Sequence, residues 1–458
     1  MTTDYDVVVL GGGSAGSSAA SAAHEAGAKT VMINDGELGG LCILRGCMPT
    51  KSMLAAAHAI HGAHHLEPFG ARLEGRVDVD FGKIVARKDG HVARFKKAKL
   101  DSIDASGYTV LDARGRFVEP GVVEAGGRRI RGKRFVIATG SVPASLPIPG
   151  IEDVPVWTSD DVMRLSEAPR RLIVQGGGPI GLELAQFFAR VGTEVTLVNR
   201  SPLLGKTDAD CGAELRNAFL NEPRLTLAVP GRIERLFRDG DGLRAVLVAD
   251  GATEEIEADA LLMAVGRDAA LDGIGLETVG LSPADGVLAY DATMRTDHPD
   301  IFVSGDSTGE HQILHLANQE ARVAGHNAAG ALPRTMDYRL AMSVVFTDPP
   351  FAHVGLGEQQ ARKAGLDILV GRERFAETGR AITMEVGQGL WKLIVDRESG
   401  EILGSSIIGP RADDLIHEIA ILMHYRAKFG DISDLPWYHP TLSEVLVNLV
   451  RDIENQRT

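Results

Sequence analysis

Residues 5–16 read YDVVVLGGGSAG, and residues 170–181 read RRLIVQGGGPIG. In each, a short β-branched run with few polar breaks reads as a buried parallel strand. Three glycines at G-x-G-x-x-G spacing follow: Gly11, Gly13 and Gly16 in the first copy, Gly176, Gly178 and Gly181 in the second. The first glycine of such a motif makes the tight turn, the second lets backbone approach a pyrophosphate, and the third packs helix against strand. The helix that opens there presents its N-terminus to the anion. Small residues over 17–28 predict a close-packed helix, and residues 30–33 the next strand. The second copy predicts a strand over 172–175, a helix through Arg190 and a strand over 195–198. Every landmark is displaced by the same amount (176 − 11 = 165, 178 − 13 = 165, 181 − 16 = 165). A single such motif is often a glycine-rich turn, whereas two in matching context imply two bound dinucleotides.

The residue ending the second strand of each unit discriminates ribose from ribose phosphate. Those positions are Asn34 and Asn199. After Asn199 come Arg200 and Lys206 with no carboxylate to repel phosphate, so this copy leans towards NADPH over NADH. The first copy has Asp35 beside Asn34 and no cation before Arg45, which suits a dinucleotide with an unmodified ribose, such as FAD. Between the units, residues 39–51 read GGLCILRGCMPTK. Cys42 and Cys47 are five apart, and a helix opening here would bring their sulfurs within bonding reach. A zinc site is the rival use, but it needs two more ligands at metal spacing, and Cys211 supplies nothing of that kind. A thiolate at a helix N-terminus has a lowered pKa, so a redox pair is the expectation and no metal is assigned.

With these motifs in place, the chain resembles the class I pyridine nucleotide-disulfide oxidoreductases, the family of lipoamide dehydrogenase, glutathione reductase and mercuric reductase. Ala138, Thr139 and Gly140 match its A-T-G turn, residues 264–267 its A-x-G-R segment with Gly266, and residues 300–306 (DIFVSGD) its second flavin motif with Gly305 and Asp306. Residues 343–355 (SVVFTDPPFAHVG) resemble the opening of its interface domain, and residues 439–444 (HPTLSE) its H-P-T-x-S-E signature.

The resemblance implies FAD on the first unit, NADPH or NADH on the second, and Asp306 on the ribityl chain. It further implies Cys47 as the flavin-proximal sulfur, Cys42 as the sulfur that attacks substrate, and His439, oriented by Glu444, as the general acid. Lys51 and Glu183 resemble the ion pair near the flavin's reactive nitrogen. The histidine comes from the partner subunit in this family, which implies a homodimer acting on a small-molecule or carrier-bound disulfide. Lipoamide dehydrogenase is the nearest branch by residues 402–404, 409–410 and 415–418. Departures are Leu41, residues 43–45, Asn34 and Pro350. Glutathione reduction is disfavoured because residues 17–28 hold no Lys or Arg, and mercury reduction because residues 451–458 hold no cysteine. An NAD-dependent dihydrolipoamide dehydrogenase proper and a non-catalytic, redox-responsive flavoprotein are the alternative readings.

Composition agrees with a folded enzyme. With 458 residues about three domains are expected. Hydrophobic residues make up 44% and charged residues 24%, values of globular chains. A net charge of −14 makes nucleic acid and anionic membrane surfaces poor partners. No apolar run reaches the length of a spanning helix, and Asp4 and Asp6 stand where a secretory signal carries positive charge, so a cytoplasmic protein is expected. The expected architecture is α/β: two Rossmann-like (β-α-β) dinucleotide-binding domains plus a C-terminal α+β dimerisation domain. Its segments are 1–145 for flavin, 146–265 for nicotinamide, 266–336 returning to the flavin domain, and 337–458 for the interface. His58, His61, His64 and His65 are read as a solvated or interface helix face, and the basic run from Arg87 to Lys99 as a charged one.

Overall fold

A computed structural model describes residues 2–205 and 207–457. Lys206, assigned above to the second nucleotide, lies outside the described residues. The chain forms two compact units, 1–52 with 86–144 and 266–337, and 53–85 with 145–265 and 338–458.

The first unit is built on strand β1 (Thr2–Leu10), helix α1 (Ser14–Glu25) and strand β2 (Thr30–Asn34). The expected helix over 17–28 starts three residues earlier, because Gly13 takes an extended conformation as its N-cap, and it ends before Gly27, whose φ of 88° no continuing helix adopts. After helices α2 (Gly40–Leu44), α3 (Cys47–His64) and α4 (Phe81–Asp104) come β3 (Thr109–Asp112), β4 (Gly115–Glu119), β5 (Val122–Ala125) and β6 (Arg128–Ile137). The sheet order is β3-β2-β1-β6-β5-β4, and strand Ile301–Val303 pairs with β6. β1 runs parallel to both β2 and β6, so it is buried on both faces, and Val7, Val8 and Val9 are fully enclosed. That explains the unbroken apolar run in the sequence.

The second unit repeats the plan. A parallel sheet holds strands Leu225–Ala228, Glu194–Val198, Arg171–Gln175, Ala260–Met263 and Val156–Trp157 in that order. Helix Pro179–Val191 opens directly from the second glycine turn, with Pro at its first position, where no N–H is needed. A five-stranded antiparallel sheet over 342–408 carries the C-terminal helices Ala412–His424 and Val445–Arg457. These features are those of an α/β protein with two dinucleotide units and a C-terminal α+β domain. Residues 53–85, read above with the flavin segment, pack in the second unit, where Met53, Leu54 and Ala57 join Phe187 and Phe188 in one apolar cluster.

Two polar clusters cross-link the second unit. Lys392, 2% exposed, sets its ammonium against Asp208 (3.0 Å), Asp210 (2.7 Å) and Glu358 (2.9 Å). Burial alone would raise Glu358, but hydrogen bonds from Lys392 and Arg362 outweigh it and hold the carboxyl at about 2. In the other cluster, Arg190 is bound by Glu222 (2.5 Å) and Asp348 (2.9 Å), and Gln186 donates to the Glu222 carboxylate (2.8 Å).

His61 stands 3.9 Å from Glu222 and stacks on His65. The solvated or interface histidine face divides accordingly, with His64 and His65 exposed and His58 and His61 turned towards these partners. His58 and His61 are partly buried, and the partners that surround them come from far along the chain. Burial first, then the Arg190 charge, lowers His61 to about 4 despite Glu222 and Asp348. The unfolded chain takes up this proton near pH 6.5 and the folded chain only near pH 4, so the sign is loss of stability as pH falls between those values. Thermal melting should drop by roughly 2–4 °C more across that window in the natural chain than in His61→Gln. Parallel melting curves at pH 7 and 4.5 check this, and equal drops would remove His61 as the cause.

The charged face expected over Arg87 to Lys99 is also only partly solvated. On α4, Lys88 is buried beside Asp89 (2.7 Å), and Lys99 donates to the Ser17 hydroxyl (2.6 Å). No helix among the described residues is long and apolar enough to cross a membrane.

Candidate functional site

In the first unit the glycine turn leaves no room for side chains. A Cβ on Gly11 would lie 2.1 Å from the Ala138 carbonyl oxygen, and one on Gly16 would lie 1.8 Å from that of Gly11. The turn is therefore pressed against the A-T-G segment. Beside it a cleft of about 400 Å³ is lined by Gly11, Asn34, Asp35, Arg114, Thr139 and Asp272, among others. Its size, a helix N-terminus and an exposed carboxylate at Asp35 fit the adenosine diphosphate half of FAD.

Thr139, Gly140, Gly266, Gly305 and Asp306 meet in the same unit. Their connection runs through residues that the sequence reading missed. The Ser141 hydroxyl donates to Asp306 Oδ2 (2.6 Å) and accepts from Arg267 Nε (2.7 Å), while Arg267 also donates to the Ser141 carbonyl (2.9 Å). Gly140 N–H donates to Ser307 Oγ (2.8 Å), and Gly305 N–H donates to the fully buried Glu320 (2.8 Å). The signal was available, since Ser141 directly follows the A-T-G triplet and Ser307 the Gly305-Asp306 pair. Arg267 thus ties the A-x-G-R segment to the flavin motifs, and Gly266, assigned above to the nicotinamide nucleotide, lies in this unit.

The cysteines sit where two helices meet. The reading of one opening helix is refined here: α2 ends at Leu44 with Arg45 as its C-cap, and α3 begins at Cys47. Gly46 makes the junction possible, because a Cβ there would stand 3.0 Å from the Leu41 carbonyl and 3.3 Å from Cys42 Cα. Both cysteines stand as thiols and are partly buried. Cys42 is hydrogen-bonded to Cys47; that bond first, and burial second, push Cys42 well above the ordinary thiol range. Lys51 follows one turn along α3. Among the described residues, no group of three or more His, Cys, Asp or Glu is arranged to hold a metal ion.

The second unit holds the remaining candidates. Gly176, Gly178 and Gly181 form the turn, with a Cβ on Gly176 2.2 Å from the Ala264 carbonyl and one on Gly181 2.0 Å from that of Gly176. Asn199 ends the second strand's turn, and Arg200 beyond it is exposed. Glu183, on helix Pro179–Val191, is only 3% exposed and accepts the Phe346 N–H (3.1 Å). It is a buried carboxylate rather than a solvated helix charge.

His439 and Glu444 meet as their spacing suggested. The imidazole Nδ1 is 2.9 Å from Glu444 Oε1, and Thr441 N–H donates to Oε2 (2.9 Å). The Thr441 bond first, then the bond from His439, hold the Glu444 carboxyl below its usual range. With Nδ1 so engaged, Nε2 is the nitrogen left to exchange a proton. The His439 side chain is 77% exposed, and Tyr438, Tyr425 and Ile421 of the same C-terminal domain also expose large apolar surfaces. Ser443, beside Glu444, donates to Glu418 (2.7 Å).

Comparison with known proteins completes the description. Residues 5–322 match the family described as pyridine nucleotide-disulphide oxidoreductase, and residues 341–450 match its dimerisation domain. A dihydrolipoyl dehydrogenase of Thermus scotoductus is 36% identical over 99% of this chain and 98% of its own length. A mercuric reductase of Staphylococcus aureus is 32% identical over 97% of this chain and 81% of its own length. Among solved structures, the HOCl-induced flavoprotein disulfide reductase RclA of Escherichia coli superposes with a TM-score of 0.85 at 27% identity, covering 98% of this chain and 99% of that one.

Proposed function

The chain belongs to the pyridine nucleotide-disulphide oxidoreductases, FAD-dependent enzymes that use a pyridine nucleotide and act on sulfur, and from that membership we propose that it is a cytoplasmic, homodimeric, NADPH-linked reductase of a small-molecule or carrier-borne disulfide. The observation that carries this reading is the hydrogen-bonded pair Cys42–Cys47 at the junction of α2 and α3.

When bound, FAD supplies the two-electron relay between nicotinamide and sulfur. The glycine turn and the N-terminus of α1 hold its pyrophosphate, Asp35 its adenosine ribose, and Asp306, fixed by Ser141 and Arg267, its ribityl chain. The A-T-G and Gly305 segments shape the same cradle. The family resemblance assigns Lys51 and Glu183 the charges near the flavin's reactive nitrogen.

Cys47 begins an 18-residue helix, whose N-terminal dipole favours a thiolate there, while Cys42 keeps its proton. Cys42 passes that proton to Nε2 of the partner's His439 and attacks one sulfur of the substrate disulfide. The substrate S–S bond breaks as the Cys42–substrate bond forms. The departing thiolate takes a proton from Nε2 of His439 of the partner subunit, and Glu444 stabilises the imidazolium until then. Cys47, as the thiolate, next attacks the Cys42 sulfur and closes the Cys42–Cys47 disulfide, and the second substrate sulfur leaves as a thiolate that takes its proton from solvent. Two electrons and two protons have then reached the substrate.

Gly176, Gly178, Gly181, Asn199, Arg200 and Lys206 make the nicotinamide nucleotide site, with Arg200 and Lys206 selecting the 2′-phosphate. Reducing flow towards a disulfide is supported by the likeness to a disulfide reductase, RclA. The Thermus dihydrolipoyl dehydrogenase favours a second reading, an NAD-dependent enzyme oxidising a dithiol. Anaerobic titration separates them. NADPH should bleach the flavin at about tenfold lower concentration than NADH, the worth of one charge-assisted contact to phosphate. Arg200→Gln should erase most of that difference, whereas a natural chain that prefers NADH establishes the second reading.

A further inference from the structure

Asn34 and Asn199 stand where a ribose-reading acidic residue is expected, yet each turns its amide back into its own glycine turn. In the second unit Gly177 N–H donates to Asn199 Oδ1 (3.0 Å), and Asn199 Nδ2 donates to the Ser201 carbonyl (2.6 Å). In the first unit Gly12 N–H donates to Asn34 Oδ1 (2.8 Å), and Asn34 Nδ2 donates to the Gly36 carbonyl (2.7 Å). The three positions of each set are again displaced alike (177 − 12 = 165, 199 − 34 = 165, 201 − 36 = 165).

The contact also explains a fourth glycine in each motif. A Cβ on Gly12 would meet Asn34 Oδ1 at 2.5 Å, and one on Gly177 would meet Asn199 Cγ at 2.8 Å. The backbone of Asn199 is committed as well, its N–H to Ala228 (3.2 Å) and its carbonyl to Gly231 (2.8 Å). Asparagine suits this place because Gly177 requires an acceptor and the Ser201 carbonyl requires a donor at the same reach. A carboxylate supplies only the acceptor. The first residue past the turn with an exposed side chain is Arg200 in one unit and Asp35 in the other.

We infer that Asn199 is a positioning residue for nucleotide selection: its amide braces the glycine turn against Ser201 and so holds Arg200 where the adenosine 2′-substituent lies. This rests on the NADPH reading above. It places the discrimination one residue beyond the usual position, in a bracket built from both ends of the turn.

The test compares binding of 2′,5′-ADP and 5′-AMP to the FAD-loaded dimer by calorimetry, together with KM and kcat for NADPH. Natural protein, Asn199→Ala and Asn199→Leu are measured. The natural protein should bind 2′,5′-ADP at least tenfold more tightly than 5′-AMP. Asn199→Ala should lose about tenfold on 2′,5′-ADP and no more than about twofold on 5′-AMP, raising KM for NADPH with kcat unchanged. Asn199→Leu keeps the size of the amide without its two hydrogen bonds or any charge and should bind the two ligands about equally, a result that stands even if the alanine variant fails to fold. Natural selectivity that survives both substitutions overturns the positioning role and leaves the NADPH reading intact. Equal losses on both ligands also overturn it, since a brace for the pyrophosphate turn alone has that effect. A natural protein without preference for 2′,5′-ADP overturns both.

Discussion

Replacing Cys42 by serine should lower disulfide turnover by about 10⁴-fold or more while NADPH still bleaches the bound flavin at close to the natural rate. The size follows from the chemistry. A hydroxyl cannot form the mixed disulfide, and loss of a covalent nucleophile costs on the order of 10⁴–10⁶ in rate. The asymmetry follows from the geometry. Cys42 lies on α2 and is held protonated by its bond to Cys47 and by burial, whereas Cys47 opens α3. Cys47→Ser should therefore differ in kind: it removes the sulfur next to the relay, so reducing equivalents stop at the flavin. Anaerobic stopped-flow spectra separate the two variants. If Cys42→Ser reduces disulfides at the natural rate, the proposed order of the two sulfurs is wrong.

Replacing His439 by glutamine should cost about 10²–10⁴ in kcat with flavin reduction unaffected, the usual range for a positioned general acid. Glu444→Gln should cost less and should change the pH profile. The Glu444 carboxylate, held below its usual range by Thr441 and His439, stays charged into acid. Its stabilising effect on the imidazolium is present above the ordinary carboxylate value and is lost only as pH falls through the lowered one. Glu444→Gln removes the group whose protonation sets that loss, so the acid limb of kcat should flatten. A profile that does not move when Glu444 is replaced would show that the carboxylate orients nothing during turnover.

Much of this site was legible in the chain because its motifs are local. Each glycine motif is announced by its own strand and helix, although its turn packs on a distant carbonyl, and the contact of His439 with Glu444 spans five residues. What the sequence reading misplaced has distant causes. Helix α1 starts at Ser14 because Gly13 caps it. His58 and His61 lie on a helix whose spacing suggests an exposed face, but Arg190, Glu222 and Asp348, more than a hundred residues onward, enclose them. Lys99 reads as one charge in a basic run until Ser17, 82 residues earlier, takes its proton donor. Asn34 and Asn199 were read as the ribose-discriminating positions, whereas their amides accept from Gly12 and Gly177 of their own turns.

The charged knot around Lys392 bears on how this chain can be divided. Asp208 and Asp210 belong to the start of helix Ala209–Leu220 in the nicotinamide segment, while Lys392 and Glu358 belong to the C-terminal domain. Removing one partner from a buried ion cluster typically costs about 3–5 kcal/mol. A fragment that stops before residue 338 would strand Asp208, itself 3% exposed, without its cation, and would strip the apolar cover of Phe351, Leu390 and Ile408 from Phe187 and Phe188. Gene fusions and truncations that treat the nucleotide module as portable should therefore yield insoluble product, and the smallest transferable piece carries residues 53–85 and everything from 338 onward along with it.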